Sequence, residues 1–401
     1  MTSCLVCGAD PVRTVVDFGC QPVSSHFIAT PDQQTAECEL ALAVCQTCGV
    51  IQLTKPFPYE MLTPTFDWIT YREPESHLDA VVERICDLPN VGPEMIVGSL
   101  TYKDKTTLER FRKRGFKQTW MIDPFADLGA TNPNANIETV HGMLDSNKAC
   151  KIATDYEPAD ILIVRHIAEH AADSARFLAA IEFLLASDGY LVIEVPDCSR
   201  NLDYRDYTMM WEEHSLYFTE GTLPSLLSGR GFTVQSVDRY PYPFEDVLML
   251  YARRSDAPAD VIVPDSAAVS TSNTLAVEYG NDFSAESAAI RKKIEGLAAR
   301  GPIALYGAGH LTCTFVNLHD LASYFTFVVD DTPQKQGLFL PGNGLEIVDR
   351  EVLATSNVTT CLLGLAPEIE DKVISNNEAF VRRGGAFQSI FGASDRSLHR
   401  F

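Results

Sequence analysis

Between residues 94 and 260, apolar β-branched runs alternate with amphipathic stretches, and this alternation leaves few folds open to the chain. Met95–Gly98, Thr119–Ile122, Asp160–Val164 and Gly189–Val195 predict buried strands, with Ile137–Val140 as a short third element of the series. Thr106–Arg114, Ser174–Ala186 and Thr222–Arg230 predict the helices. Strands separated by helices of about 10–15 residues form a parallel, doubly wound sheet. Phe232–Tyr240 and Val247–Arg253 have no helix between them, which predicts an antiparallel hairpin at the sheet edge. The pattern restarts at residue 301. Pro302–Tyr306 leads into Gly307-Ala308-Gly309-His310 and a helix over Leu311–Leu318, then strands over Thr326–Asp330, Thr360–Leu363 and Ala386–Ile390. A strand, a Gly-x-Gly turn, a helix and a strand ending in Asp is the layout of half a dinucleotide-binding fold. The third glycine is missing, so the turn reads either as an anion site or as a tight strand–helix connection.

Ahead of this lies a different kind of segment. Cys4-Leu-Val-Cys7-Gly8 and Cys45-Gln-Thr-Cys48-Gly49 are two C-x-x-C-Gly turns. Two such turns present four thiolates tetrahedrally, and glycine allows the tight backbone beneath a metal ion. Cys4, Cys7, Cys45 and Cys48 therefore predict one closed, structural zinc site, with His26 as a reserve ligand. The stretch between the pairs should form a small β module with Phe18, Val23 and Phe27 on one side. Five segments result: a zinc module (1–57), a helical lid or connector (58–90), the main α/β domain (91–256), a linker and helix (257–300), and a second α/β domain (301–401). The net charge of −22 argues against nucleic acid or an anionic membrane as partner. No apolar run approaches the roughly 20 residues of a spanning helix. The N-terminus lacks a basic, apolar leader, so the expected location is cytoplasmic.

Chemistry concentrates in residues 189–219. The strand Gly189–Val195 ends in Glu194 and Asp197, and Trp211-Glu212-Glu213-His214 and Tyr217-Phe218 follow. Ligands of open α/β sheets bind beyond the carboxyl ends of the strands. Histidine titrates near neutrality, and a carboxylate beside it raises its basicity. An acid-acid-His run with aromatic walls predicts a proton-transfer site.

Together these features resemble the zinc-containing sugar C-methyltransferases, which act on 4-keto-deoxysugar nucleotides. The resemblance rests on the paired cysteines with Gly49-Val50-Ile51-Gln52-Leu53, on Arg165-His166-Ile167-Ala168-Glu169-His170, on Glu194-Val195-Pro196, and on Glu213-His214 with Tyr217-Phe218. It continues in Tyr306-Gly307-Ala308 and in Val329–Gly337 with Leu340-Pro341-Gly342. It implies an α/β chain with a zinc module, a central class I methyltransferase-like domain and a C-terminal Rossmann-like domain. The implied cofactor is S-adenosylmethionine, held at Gly98, Ser99, Asp123 and Arg165. The implied catalytic groups are His214 as base, Glu213 as its orienting acid, His170 at the enolate or substrate, and Tyr71 from the lid. The implied substrate contacts are Trp211, Tyr217, Tyr306, Gly307 and His310. The partner would be a nucleotide-linked keto sugar, and the chain a monomer or homodimer. The cofactor loop departs from the family. Where the family has G-x-N-D-G, this chain has Gly98-Ser99-Leu100-Thr101-Tyr102, followed by Lys103, a poor neighbour for a sulfonium. Two further readings use the same residues: a lyase or isomerase that has lost methyl transfer, and a ligand-binding protein.

Overall fold

The computed structural model describes residues 3–69, 73–255, 262 and 264–398. Three sheets carry the fold. The first begins with β1 (Arg13–Pro22), β2 (Glu37–Val44) and β3 (Ile51–Leu53), all antiparallel. Phe18, Val23 and Phe27 are buried as expected.

The central sheet contains β4 (Ile96–Ser99), β5 (Gln118–Met121), β6 (Ala159–Arg165) and β7 (Leu185–Pro196), paired in parallel in the order β5-β4-β6-β7. Ile161–Val164 and Leu191–Val195 are buried throughout, because helices cover both faces of a parallel sheet. A two-residue strand, β8 (Leu216–Tyr217), leaves this domain and pairs with β3 of the zinc module, with Ile51 opposite Tyr217. The closing hairpin is present. β9 (Phe232–Tyr240) is the edge, and β10 (Val247–Arg254) lies antiparallel between it and β7.

Two elements differ from expectation. Ile137–Met143 is a helix, not a strand. The N–H of Asn136 donates to Thr139 Oγ1 and the N–H of Thr139 donates back to the Asn136 carbonyl, a local turn that starts a helix. Val140 and Leu144 then share one buried face, four residues apart. The helix expected over Thr222–Arg230 is a short 3-10 turn, Leu223–Leu227, with proline in its first turn.

The third sheet is fully parallel: β11 (Ile303–Tyr306), β12 (Phe325–Val329), β13 (Ile347–Val348), β14 (Thr360–Leu363) and β15 (Ala386–Ser389), in the order β13-β12-β11-β14-β15. A 33-residue helix, Ser266–Ala298, precedes it. This helix runs back along the zinc module. Ser272 Oγ donates to the Gly49 carbonyl at 2.6 Å, and a Cβ on Gly280 would stand 2.1 Å from the Val15 carbonyl oxygen. The zinc module therefore touches both α/β units, and the loop carrying residues 208–217 lies where the three meet.

Candidate active site and metal centre

The cysteine turns come together. Cys4 and Cys48 sulfurs are 3.6 Å apart, as are those of Cys7 and Cys45, and all four lie within 4.8 Å of one another. A tetrahedral ion with Zn–S bonds of about 2.3 Å needs sulfurs about 3.8 Å apart. Backbone N–H groups of Val6 and Cys7 point at Cys4 Sγ, and that of Cys48 at Cys45 Sγ, each at 3.4 Å. Such donors stabilise thiolates. The four residues fit one structural zinc, with no position left for a substrate. His26 is elsewhere, its Nε2 3.0 Å from the Thr63 carbonyl.

A small cavity of about 50 Å³ opens at the carboxyl ends of β6 and β7. The turn after β6 delivers His166, Glu169 and His170. The loop before β8 delivers Trp211, Glu213 and His214, and Glu73, Lys103 and Glu245 close the walls. The rings of His170 and His214 are perpendicular with centroids 4.8 Å apart. Trp211 stacks beside His214 at 5.6 Å, and the Tyr217 ring is 6.0 Å away. Tyr217 donates its hydroxyl to the Trp211 carbonyl at 2.9 Å, which pins the loop.

Charge in this cavity is sorted by burial and by neighbours. Burial, then the charge of His310, holds His214 down at about 3, so its ring is neutral across the physiological range. Burial and the adjoining His214 and His141 likewise keep His170 well below the usual histidine range. His166 goes the other way. Burial opposes its charge, but Glu73 and Glu194 raise it to about 10. Its Nε2 lies 2.8 Å from Glu194 and its Nδ1 3.4 Å from Glu169. Glu245 is pushed up to about 8 by burial and by Glu73. The site thus holds two neutral imidazoles, one imidazolium and one lysine among several acids.

Arg165 lies beneath the site and reaches the turn after β4 from below. It is buried and forks onto Glu194, with Nε 2.5 Å from Oε2 and Nη2 3.2 Å from Oε1, and its Nη1 donates to the Lys103 carbonyl. Tyr306 points away from the cleft. It is buried in the C-terminal core, its hydroxyl donating to Asp331 at 2.8 Å. Tyr71 lies outside the described residues. Gly307 and His310 line a second cavity of about 430 Å³, together with Ser24, Trp68, Trp211 and Lys335. Trp211 separates the two cavities and stacks flat on His310, centroids 3.6 Å apart and 6° from parallel. His310 Nδ1 is 2.9 Å from Ser24 Oγ and 3.3 Å from Glu212, and Ser24 donates to Glu212 by both its N–H and its hydroxyl. Zinc module, central domain and C-terminal domain thus each place one side chain at this node.

At the cofactor turn, Asp123 follows β5, is exposed, and uses Oδ1 to accept from the N–H groups of Phe125 and Ala126. A carboxylate there suits ribose hydroxyls. The turn after β4 is more closed. The N–H groups of Leu100 and Thr101 both donate to Asp104 Oδ2 at 3.2 Å. Gly98 is matched to the Trp120 ring, which a Cβ would approach to 2.4 Å. S-adenosylmethionine fits at Asp123 and meets a filled turn at Gly98–Thr101.

Three family comparisons match successive parts of the chain: a zinc binding domain over residues 4–62, a methyltransferase domain over 97–237, and a C-methyltransferase C-terminal domain over 265–391. The chain is also 26% identical to the C-methyltransferase NovU of Streptomyces niveus, over 96% of this chain and 94% of NovU. In this order the three matches make up the layout of a zinc-containing C-methyltransferase. The chain is a methyltransferase of the S-adenosylmethionine-dependent class, with a structural zinc site. Among solved structures, an S-adenosylmethionine-dependent methyltransferase of Aquifex aeolicus is similar at 14% identity, covering 45% of this chain and 93% of that one, TM-score 0.29. The N-methyltransferase NodS of Bradyrhizobium japonicum is similar at 12%, covering 45% and 97%, TM-score 0.27.

Sequence reasoning passed over His166, Glu169, Lys103, Glu73 and Glu245 as site residues. The signal for the first two was available, since titratable side chains crowd the end of the apolar run Ile161–Val164. Glu73 stood only within the lid or connector expected over residues 58–90, and nothing local marked Glu245.

Proposed function

We propose that this methyltransferase methylates carbon next to the carbonyl of a nucleotide-linked keto sugar through an enolate formed at His214. The observation that carries the reading is the pair of cavities joined at Trp211. The small one holds neutral imidazoles at the carboxyl end of a parallel sheet, and the large one is lined by a strand–helix turn, Lys335 and Trp68. A sugar ring suits the first, and a nucleoside diphosphate suits the second, where Lys335 and the helix N-terminus favour anions and Trp68 offers a face for a base. His214 takes the α-proton on a ring nitrogen. His170 stands across the same space as a neutral donor, and Glu213 supports charge on His214. Trp211 keeps water out. S-adenosylmethionine, when bound, supplies a methyl cation equivalent to the carbon. Incubating the protein with a thymidine-diphosphate 4-keto-6-deoxyhexose and S-adenosylmethionine tests this by mass spectrometry. A gain of one methyl group on the sugar supports it, and unchanged substrate under saturating cofactor overturns it.

A second reading, an isomerase or lyase working through the same enolate, draws on Asp104, which occupies the amides of the cofactor turn. Product without added methyl favours that reading.

A further inference from the structure

An enolate formed in this cavity would face Glu73, Glu169 and Glu213, with Glu245 beside them held mostly protonated by burial and by Glu73. Negative charge developing on a carbonyl oxygen needs a preorganised donor aimed at it, most of all where carboxylates surround it. Two cationic side chains line the cavity, His166 and Lys103. His166 hydrogen-bonds Glu194 through Nε2 and turns Nδ1 toward Glu169, at an ion-pair distance of 3.4 Å. Lys103 ends in an ammonium with three N–H donors, one of which goes to Glu73 Oε1 at 2.5 Å. Its side chain is only 6% exposed, so its charge acts where water screens little.

Lys103 is also held in place from below. Glu194 grips Arg165 by two hydrogen bonds, and Arg165 donates to the Lys103 carbonyl at 2.7 Å. Thr101 and Asp104 brace the turn on either side of it. A lysine whose backbone is clamped by a buried ion-pair network and whose ammonium enters the cavity is built to a position. The same substitution that closes the glycine turn brings this cation to the chemistry.

Resting on the reading above, we infer that Lys103 is a further catalytic residue, whose ammonium donates a hydrogen bond to the enolate oxygen. The step balances without any co-reactant. His214 removes the α-proton, the C–H electron pair becomes the new C=C π bond, and the carbonyl π pair moves to oxygen beside Lys103. Return of a proton from His214 restores the ketone. In heavy water the returned particle is a deuteron.

The test is α-proton exchange in D2O without methyl donor, followed by NMR on thymidine- and uridine-diphosphate 4-keto-6-deoxyhexoses. Wild-type protein exchanges the proton, and His214→Ala does not. Lys103→Met should slow exchange by about 10²–10³-fold, the usual loss for one oxyanion donor, while Kd for the ketone changes less than about threefold, since ground-state binding does not need the enolate contact. Lys103→Arg should recover part of the rate. Lys103→Met with Glu73→Gln avoids leaving a buried unpaired carboxylate and should be folded by circular dichroism and equally slow. Exchange at the wild-type rate in that double variant, with His214→Ala silent, overturns the inference and leaves the function standing. No exchange in wild type, or equal exchange in His214→Ala, defeats the function and this inference with it.

Discussion

His214 shares its small cavity with a second neutral imidazole, His170, with Trp211 stacked beside it. His214→Ala should reduce turnover by about 10²–10⁴-fold, the usual cost of losing a positioned base. Glu213→Gln should cost less, keeping shape and losing charge, and Trp211→Phe least, because an indole donates but does not titrate. Steady-state rates on one substrate rank the three, and a wild-type rate in His214→Ala would make the Trp-Glu-Glu-His run structural. His166 gives a second, independent expectation. Its folded value, near 10, lies above the ordinary value of about 6.5. A raised histidine contributes stability fully below about pH 6.5, and that contribution is lost as pH rises through about 10. The Tm difference between wild type and His166→Gln should therefore be largest at pH 6 and shrink toward pH 10. A difference that grows with pH would contradict the charge assignment. Cysteine ligands, His170, Glu213 and His214 were readable as residues from local runs. Glu73, Lys103 and Glu245 were not, because their roles depend on loops distant in sequence meeting at one cavity.

At the level of elements, the turn after β4 and the long helix carry the most specific consequences. Leu100 and Thr101 already donate to Asp104, so S-adenosylmethionine should bind more weakly than an open glycine turn allows. Ligand binding raises Tm by mass action. S-adenosylhomocysteine at millimolar concentration should raise Tm of the wild type and not of Asp123→Ala, and no shift in either would remove the Gly98–Asp123 assignment. In the helix Ser266–Ala298, Gly280→Ala would ordinarily help by about 0.5–1 kcal/mol through helix propensity. Here the added carbon would sit 2.1 Å from the Val15 carbonyl oxygen, a backbone atom. Overpacking of that kind costs about 1–3 kcal/mol. The expected result is a lower Tm, and a higher one would mean that the helix and β1 separate easily. Strand periods revealed most of both α/β sheets. Ile137–Met143 escaped because a short apolar run does not tell strand from helix, and the Asn136–Thr139 turn settled it.

Across the whole molecule, zinc and the 208–217 loop tie the units together. β3 follows the second cysteine turn directly and pairs with β8, which follows His214. Chelation should therefore disturb the 208–217 loop as well as the module. Protein purified without added metal should contain about one zinc per chain by elemental analysis, and its removal should lower both Tm and activity. A metal-free protein with an unchanged melting curve would refute the structural role. What the amino-acid order determined by itself was local: apolar periods that specify strands and helices, two C-x-x-C-Gly turns that specify a metal, and an acid-acid-His run beyond a strand. Each depends on neighbours within a few residues, so each is written in short stretches of chain. Tertiary structure alone decided which way side chains faced and what they met. It turned Tyr306 into the core, set Arg165 beneath Lys103, and brought Ser24, Glu212 and His310 to one node. Those outcomes depend on packing between segments far apart in sequence, where burial and opposing charge, not local propensity, fix both position and protonation.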